Sequence, residues 1–192
     1  MILAAIALAG LVMLGGVLIW LSQRSTGGDS QAVADAMRAA GCTYRTSESE
    51  GRDHVRDGTT VRYRTFPPTS GNHYAVPVVW NAYDAPVEEE RVVHNLEHGG
   101  IVIWYDPEAL TAESIDALTG YVQNQNASGL SGRYKFILSP WGGSEPLPAP
   151  VVATAWRWSL ELETADIDAI DEFARAHYGR SPEPNGGPGP PG

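Results

Sequence analysis

The chain has 192 residues, a formal net charge of -10 and 43% hydrophobic residues. That length fits one domain plus attachments, and the acidity excludes nucleic acid as a partner, because phosphate binding needs a basic surface. One cysteine, Cys42, excludes an intramolecular disulfide and a cysteine-based zinc site.

Ile2 to Leu21 carries no charged residue and has Trp20 at its far end. About twenty apolar residues match a bilayer span, and an edge tryptophan fits the interfacial belt. A cleaved signal peptide is the competing reading, but the basic leading region is missing and Gly15-Gly16 makes a poor cleavage site. We therefore read residues 1–22 as a transmembrane anchor and 23–30 as a polar linker. Arg24 follows the span and no basic residue precedes it, which taken alone argues for a cytoplasmic C-terminal side.

Residues 31–179 read as one α+β domain, with a mixed or antiparallel sheet and flanking helices. Gln31 to Ala40 predicts a short helix stopped by Gly41. Thr46 to Gly58 is polar and reads as a loop, with His54 as a solvated side chain. Thr60 to Phe66 alternates as a strand does. Pro67-Pro68 ends it, and the turn chemistry of Thr69 to Asn72 delivers His73 and Tyr74 from a loop.

Val87 to Glu97 is either a brief helix or an extended segment, since its periodicity fits both. Ile101 to Tyr105 (IVIWY) is a buried strand by composition. A helix over Glu108 to Gln123, a strand over Arg133 to Leu138, a long strand over Val151 to Leu162 and a helix over Ala165 to His177 follow. Trp156 and Trp158 fall on one face of that long strand. His177 reads as a favourable charge at a helix C-terminus, and Glu88 to Glu90 as a solvated face. Residues 180–192 are rich in proline and glycine and read as a disordered tail.

Ligand-type side chains concentrate in VVHNLEHGGIVIWY, Val92 to Tyr105, which holds two of five histidines around Glu97. On a helix, His94 and His98 share a face and can bind one metal. With His73 they make a three-histidine site suited to copper or zinc. Glu97 serves as a fourth ligand or as an acceptor for an imidazole N–H, and Cys42 is a candidate soft ligand. Tyr74, Asn72, Asn95 and Tyr83 are candidates to line or support the site.

The same five residues also spell H-x-x-E-H, the inverted zincin signature, in which the glutamate activates a metal-bound water. That reading needs a further carboxylate ligand, for which Glu161, Glu163 and Glu172 are candidates. A third reading makes His94 and His98 plain core histidines, with Glu97 paired to Arg91 or Arg133.

The blocks PPTSGNHY (Pro67 to Tyr74) and VHNLEHG (Val93 to Gly99), with Gly41-Cys42 ahead of them, resemble a bacterial family known as domain of unknown function 3105. The resemblance runs from about Gly41 to Leu138. It implies a single-span or secreted protein of the bacterial envelope, hence an extracytoplasmic domain in spite of Arg24. It implies no established activity. The expectation is therefore a membrane-anchored extracytoplasmic protein that binds copper or zinc through His73, His94 and His98. Its alternatives are a metal-free accessory subunit of an integral membrane complex and a metal-dependent hydrolase.

Overall fold

The computed structural model describes residues 35, 37, 42–127 and 133–190. The expected anchor, the linker and most of the expected helix over Gln31 to Ala40 lie outside the described residues. Of that helix, Asp35 and Met37 are described and helical.

The architecture is α+β. Seven strands and three helices are seen among the described residues: β1 (Thr43–Thr46), β2 (His54–Val55), β3 (His73–Tyr74), α1 (Glu89–Glu97), β4 (Ile101–Tyr105), α2 (Ala112–Ala127), β5 (Phe136–Pro140), β6 (Val151–Ala155), β7 (Trp158–Leu162) and α3 (Ile167–His177). Five strands form one mixed sheet in the order β1-β7-β6-β4-β5. β4 and β5 run parallel, with α2 as the crossover between them, and the remaining pairs are antiparallel. β2 and β3 form a separate parallel pair.

The run IVIWY is apolar throughout because the sheet is covered on both faces. Ile101, Ile103 and Tyr105 point to a core shared with Leu118, Val122, Ile170 and Phe173 of α2 and α3. Val102 and Trp104 point to the opposite layer, where Val92, Val93 and Leu96 of α1 pack with Trp80 and Trp156. Burial of each such aliphatic side chain contributes about 1.5–3 kcal/mol.

Several boundaries differ from the sequence reading, each for a local reason. Thr60 to Phe66, expected as a strand, is irregular. Its amides bond to side chains instead of a ladder: Val61 N–H donates to Glu90 Oε1 and Arg64 N–H to Glu50 Oε2. The long strand over 151–162 is a hairpin, turning at Trp156-Arg157 with Arg157 at φ 69°. No glycine or asparagine marks that turn. Arg157 is held there by Ser47 O, which accepts from its Nε, and by Thr69 O, which accepts from its N–H. The turn breaks the alternation, so Trp156 joins the α1 layer and Trp158 the α2/α3 layer, not one shared face.

The helix expected from Glu108 starts at Ala112, where Thr111 Oγ1 accepts from Ser114 N–H. The last helix is capped by Asp166, which accepts from Ala169 N–H. Glu89 is half-buried, not solvated, and burial beside Glu90 pushes its carboxyl up to about 7.

The segment 180–190 is not a free tail but lies across the domain. Trp80 Nε1 donates to Pro188 O, and Lys135 Nζ donates to Pro184 O and Gly186 O. Glycine lets the backbone approach these donors closely, and proline limits the conformations that are lost on docking.

His177 corrects the expectation of an exposed helix-end charge. It is 1% exposed, stacked on Trp158 and 2.6 Å from the Tyr44 hydroxyl. Burial, with the nearby Arg180 charge second, pushes its imidazole down to about 4. A depressed histidine is neutral when folded, so the unfolded chain binds more protons. The stability it lends is complete above about pH 6.5 and is lost as pH falls toward 4, about 3 kcal/mol in all. We expect His177→Gln to be less stable than wild type at pH 7, yet to lose about 3 kcal/mol less on acidification. Urea unfolding at pH 7 and pH 4 reads this, and parallel losses in the two proteins would exclude it.

Candidate metal centre

α1 sorts its residues by the helical period. Val92, Val93 and Leu96 occupy one arc against the sheet, while His94, Glu97 and His98 occupy the neighbouring arc, each about 100° wide. The helix ends where the sequence reading places it. Gly99 N–H donates to Leu96 O and Gly100 N–H to Asn95 O, with Gly99 at φ 79°. This is a Schellman termination, which needs a left-handed residue at the Gly99 position.

Opposite that arc stands β3 with His73. Arg91 fastens the loop after it to the helix: its guanidinium donates to Val76 O, pairs with Asp57 and Glu88, and lies 5.3 Å from the Tyr74 ring centre. β2 pairs with β3 so that His54 lies beside His73. The ligand-type atoms of His54, His73, His94 and Glu97 all lie within 4.8 Å of one another. A transition metal about 2.0–2.2 Å from each donor would draw such a group in by only about an ångström.

The imidazoles are aimed by backbone carbonyls. His73 Nδ1 lies 2.8 Å from Gly71 O, His94 Nδ1 2.8 Å from Tyr74 O, and His98 Nδ1 3.1 Å from Glu183 O. A carbonyl only accepts, so each Nδ1 carries the proton and each Nε2 is left with its lone pair. His94 Nε2 and His98 Nε2 then face each other at 2.8 Å. His73 Nε2 is fully buried, without a hydrogen-bond partner, 3.2 Å from the Glu97 carboxylate. Lone pair facing lone pair, and lone pair facing carboxylate, repel unless a cation lies between them. A backbone carbonyl that accepts from the other ring N–H is also a usual outer partner of a metal-ligating imidazole.

Electrostatics point the same way. Burial pushes His73 down to about 4, despite the Gly71 carbonyl and with His94, His54 and His98 adding to the fall. Burial lowers His94 as well. Glu97 is raised, first by burial and then by Glu183. His73 and His94 are thus neutral donors at pH 7. The donors are nitrogen and oxygen, which suits zinc and oxidised copper better than cuprous ion.

The expected residues divide into three groups. His73, His94 and Glu97 come together as predicted. His98 touches His94, Nε2 to Nε2 at 2.8 Å, rather than joining the tight group. His54 replaces it there, as the exposed member of the four. His54 was missed because its loop carries no local signal, and only the β2–β3 pairing brings it in.

Cys42 does not join the group. It stands ahead of β1, half-buried against the α2/α3 core, where burial and Asp166 raise its thiol. A lone cysteine far off in sequence carries no register with the histidines. Tyr83 donates to Val79 O at the surface. The remaining candidates act on the frame. Asn72 Oδ1 accepts from Asp53 N–H beside β2, Asn95 bonds Val78 through both its side-chain atoms, and Tyr74 supplies the carbonyl that His94 needs.

Neither Arg91 nor Arg133 pairs with Glu97, since Arg133 faces Asp171. The hydrolase reading meets its helix but not its further carboxylate. Glu161 pairs with Arg45, Glu172 with Arg175, and neither these nor Glu163 belongs to the group.

A sequence model of a family described as "Protein of unknown function (DUF3105)" matches residues 54–188. The match holds every histidine of the cluster and extends beyond Leu138 through the docked C-terminal segment. It begins after Gly41-Cys42. No curated protein and no solved structure matches the chain.

Proposed function

We propose that this chain, which belongs to the DUF3105 family and takes no activity from that family's description, binds a transition metal ion through His54, His73, His94 and Glu97. The carrying observation is the convergence of His54, His73, His94 and Glu97, with the Nδ1 atoms of His73 and His94 held by backbone carbonyls and His73 Nε2 buried without a hydrogen-bond partner. Zinc or copper(II) fits these donors. The apolar run 2–21 supports a membrane anchor, and the family resemblance supports an extracytoplasmic placement, where such an ion is handled outside the cell's reducing interior. The ion's effect on the protein is to neutralise the repulsion among the donors, so that its binding stabilises the fold.

The test is metal content of the chain purified without chelator and then offered zinc and copper(II) separately. We expect near-stoichiometric uptake of at least one. His73→Leu, which removes a buried lone pair that has no hydrogen-bond partner, should abolish tight uptake while the protein stays folded. Failure of the wild type to retain either metal would make the cluster a set of core histidines and turn attention to the accessory-subunit reading.

A further inference from the structure

Lys135 lies on the approach to β5, is 6% exposed, and makes no ion pair among the described residues. Its ammonium donates to three backbone carbonyls: His98 O at 2.9 Å, Pro184 O at 2.7 Å and Gly186 O at 2.9 Å. One comes from the end of α1 and two from the C-terminal segment, so a single buried charge ties that segment to the metal-site helix. A buried ammonium is stable when all its donors are used, and its three donors are matched by three acceptors.

The segment is shaped to His98. Gly186 and Gly187 lie against the imidazole so closely that a Cβ on Gly186 would sit 2.2 Å from the ring. Glu183 N–H donates to Glu97 O, and Glu183 O accepts from His98 Nδ1–H. These contacts fix which His98 nitrogen is free and where it points. His54 is the exposed member of the cluster.

Resting on the metal reading above, we infer that Lys135 is a positioning residue of the centre. It clamps residues 183–188 over His98, so that His98 presents Nε2 beside His94 as a further donor and the ion exchanges through the His54 side.

The experiment uses the full chain loaded with copper(II), followed by nitrogen hyperfine structure in electron paramagnetic resonance and by the rate of copper release to excess EDTA. Lys135→Met removes the clamp, Gly186→Ala forces the segment off the His98 ring without touching the lysine, and His98→Ala removes the donor. We expect all three to bind one copper, to share one altered spectrum, and to release the ion about 10- to 100-fold faster than wild type, the range for loss of a partner that orients a metal ligand. Lys135→Met added to His98→Ala should change release little further.

A lower melting temperature in Lys135→Met with wild-type spectrum and release rate would assign Lys135 to the fold alone and overturn the inference. The same result in Gly186→Ala would overturn it even if Lys135→Met failed to fold. A wild-type chain that takes up no copper or zinc overturns the metal reading itself, before any variant is compared.

Discussion

His94→Ala is expected to lower metal affinity by more than about 100-fold, beyond the range for an outer partner. His94 is the residue on which the cluster converges: its ring lies 4.8 Å from His54, 4.9 Å from His73 and 4.6 Å from His98, centre to centre. Truncation removes one donor, frees Tyr74 O from its bond, and lets His98 Nε2 lose its neighbour. The folding cost without metal is modest, about 1 kcal/mol for the lost hydrogen bond plus a cavity contribution.

The informative comparison is therefore stability with and without the ion. At a free zinc concentration 100 times the dissociation constant, the wild type gains about 2.7 kcal/mol. His94→Ala should gain at most about 0.4 kcal/mol at that concentration. Thermal unfolding in chelator and in zinc checks both numbers. Equal zinc-induced shifts in the two proteins would place the ion elsewhere and leave His94 a core residue.

Gly99→Ala is expected to cost about 3 kcal/mol of folding stability. Gly99 has φ +79°, and a Cβ there would meet the Gly179 backbone at 2.6 Å. A left-handed backbone costs a residue with a Cβ about 1–2 kcal/mol, and forced overpacking typically costs about 1–3 kcal/mol. The backbone cannot easily yield, because Gly179 N–H donates to Gly99 O at 2.9 Å.

Gly58→Ala is the matching control. Its φ is +84°, and nothing lies within 4 Å of a Cβ there, so it should show the backbone part alone, about 1 kcal/mol. Urea unfolding of the two variants separates the terms. If they cost the same, the approach of residue 179 to the end of α1 contributes nothing. The expected excess at Gly99 gives the Gly-Gly pair of the motif a physical role. It stops α1 at His98 and admits the chain that follows α3.

The fold class was legible because its signals are local. IVIWY is short, β-branched and aromatic with no charged side chain, which reads as a strand covered on both faces. The helices over 112–127 and 167–177 carry apolar residues at helical spacing, and start a few residues later than that spacing alone suggests, because the cap sets the start. Asp106 and Thr164 are acceptable caps by chemistry, yet Thr111 and Asp166 are the ones whose oxygens reach helix amides. The hairpin at Trp156-Arg157 was not legible. An arginine at positive φ is tolerated only because Ser47 and Thr69 hold it from distant parts of the chain.

By itself the sequence determined that His94 and His98 share a face once their segment is helical, and that a turn delivers His73. Each depends on spacing along a few residues, which backbone geometry converts directly into direction. Only the tertiary structure decided that His54 belongs with them, that Cys42 does not, and that the Pro/Gly segment lies over His98 instead of in solvent. Those outcomes depend on which carbonyls and strands meet across long stretches of chain. A two-residue strand pairing and a buried ammonium with three carbonyl acceptors have no local pattern from which they could be read.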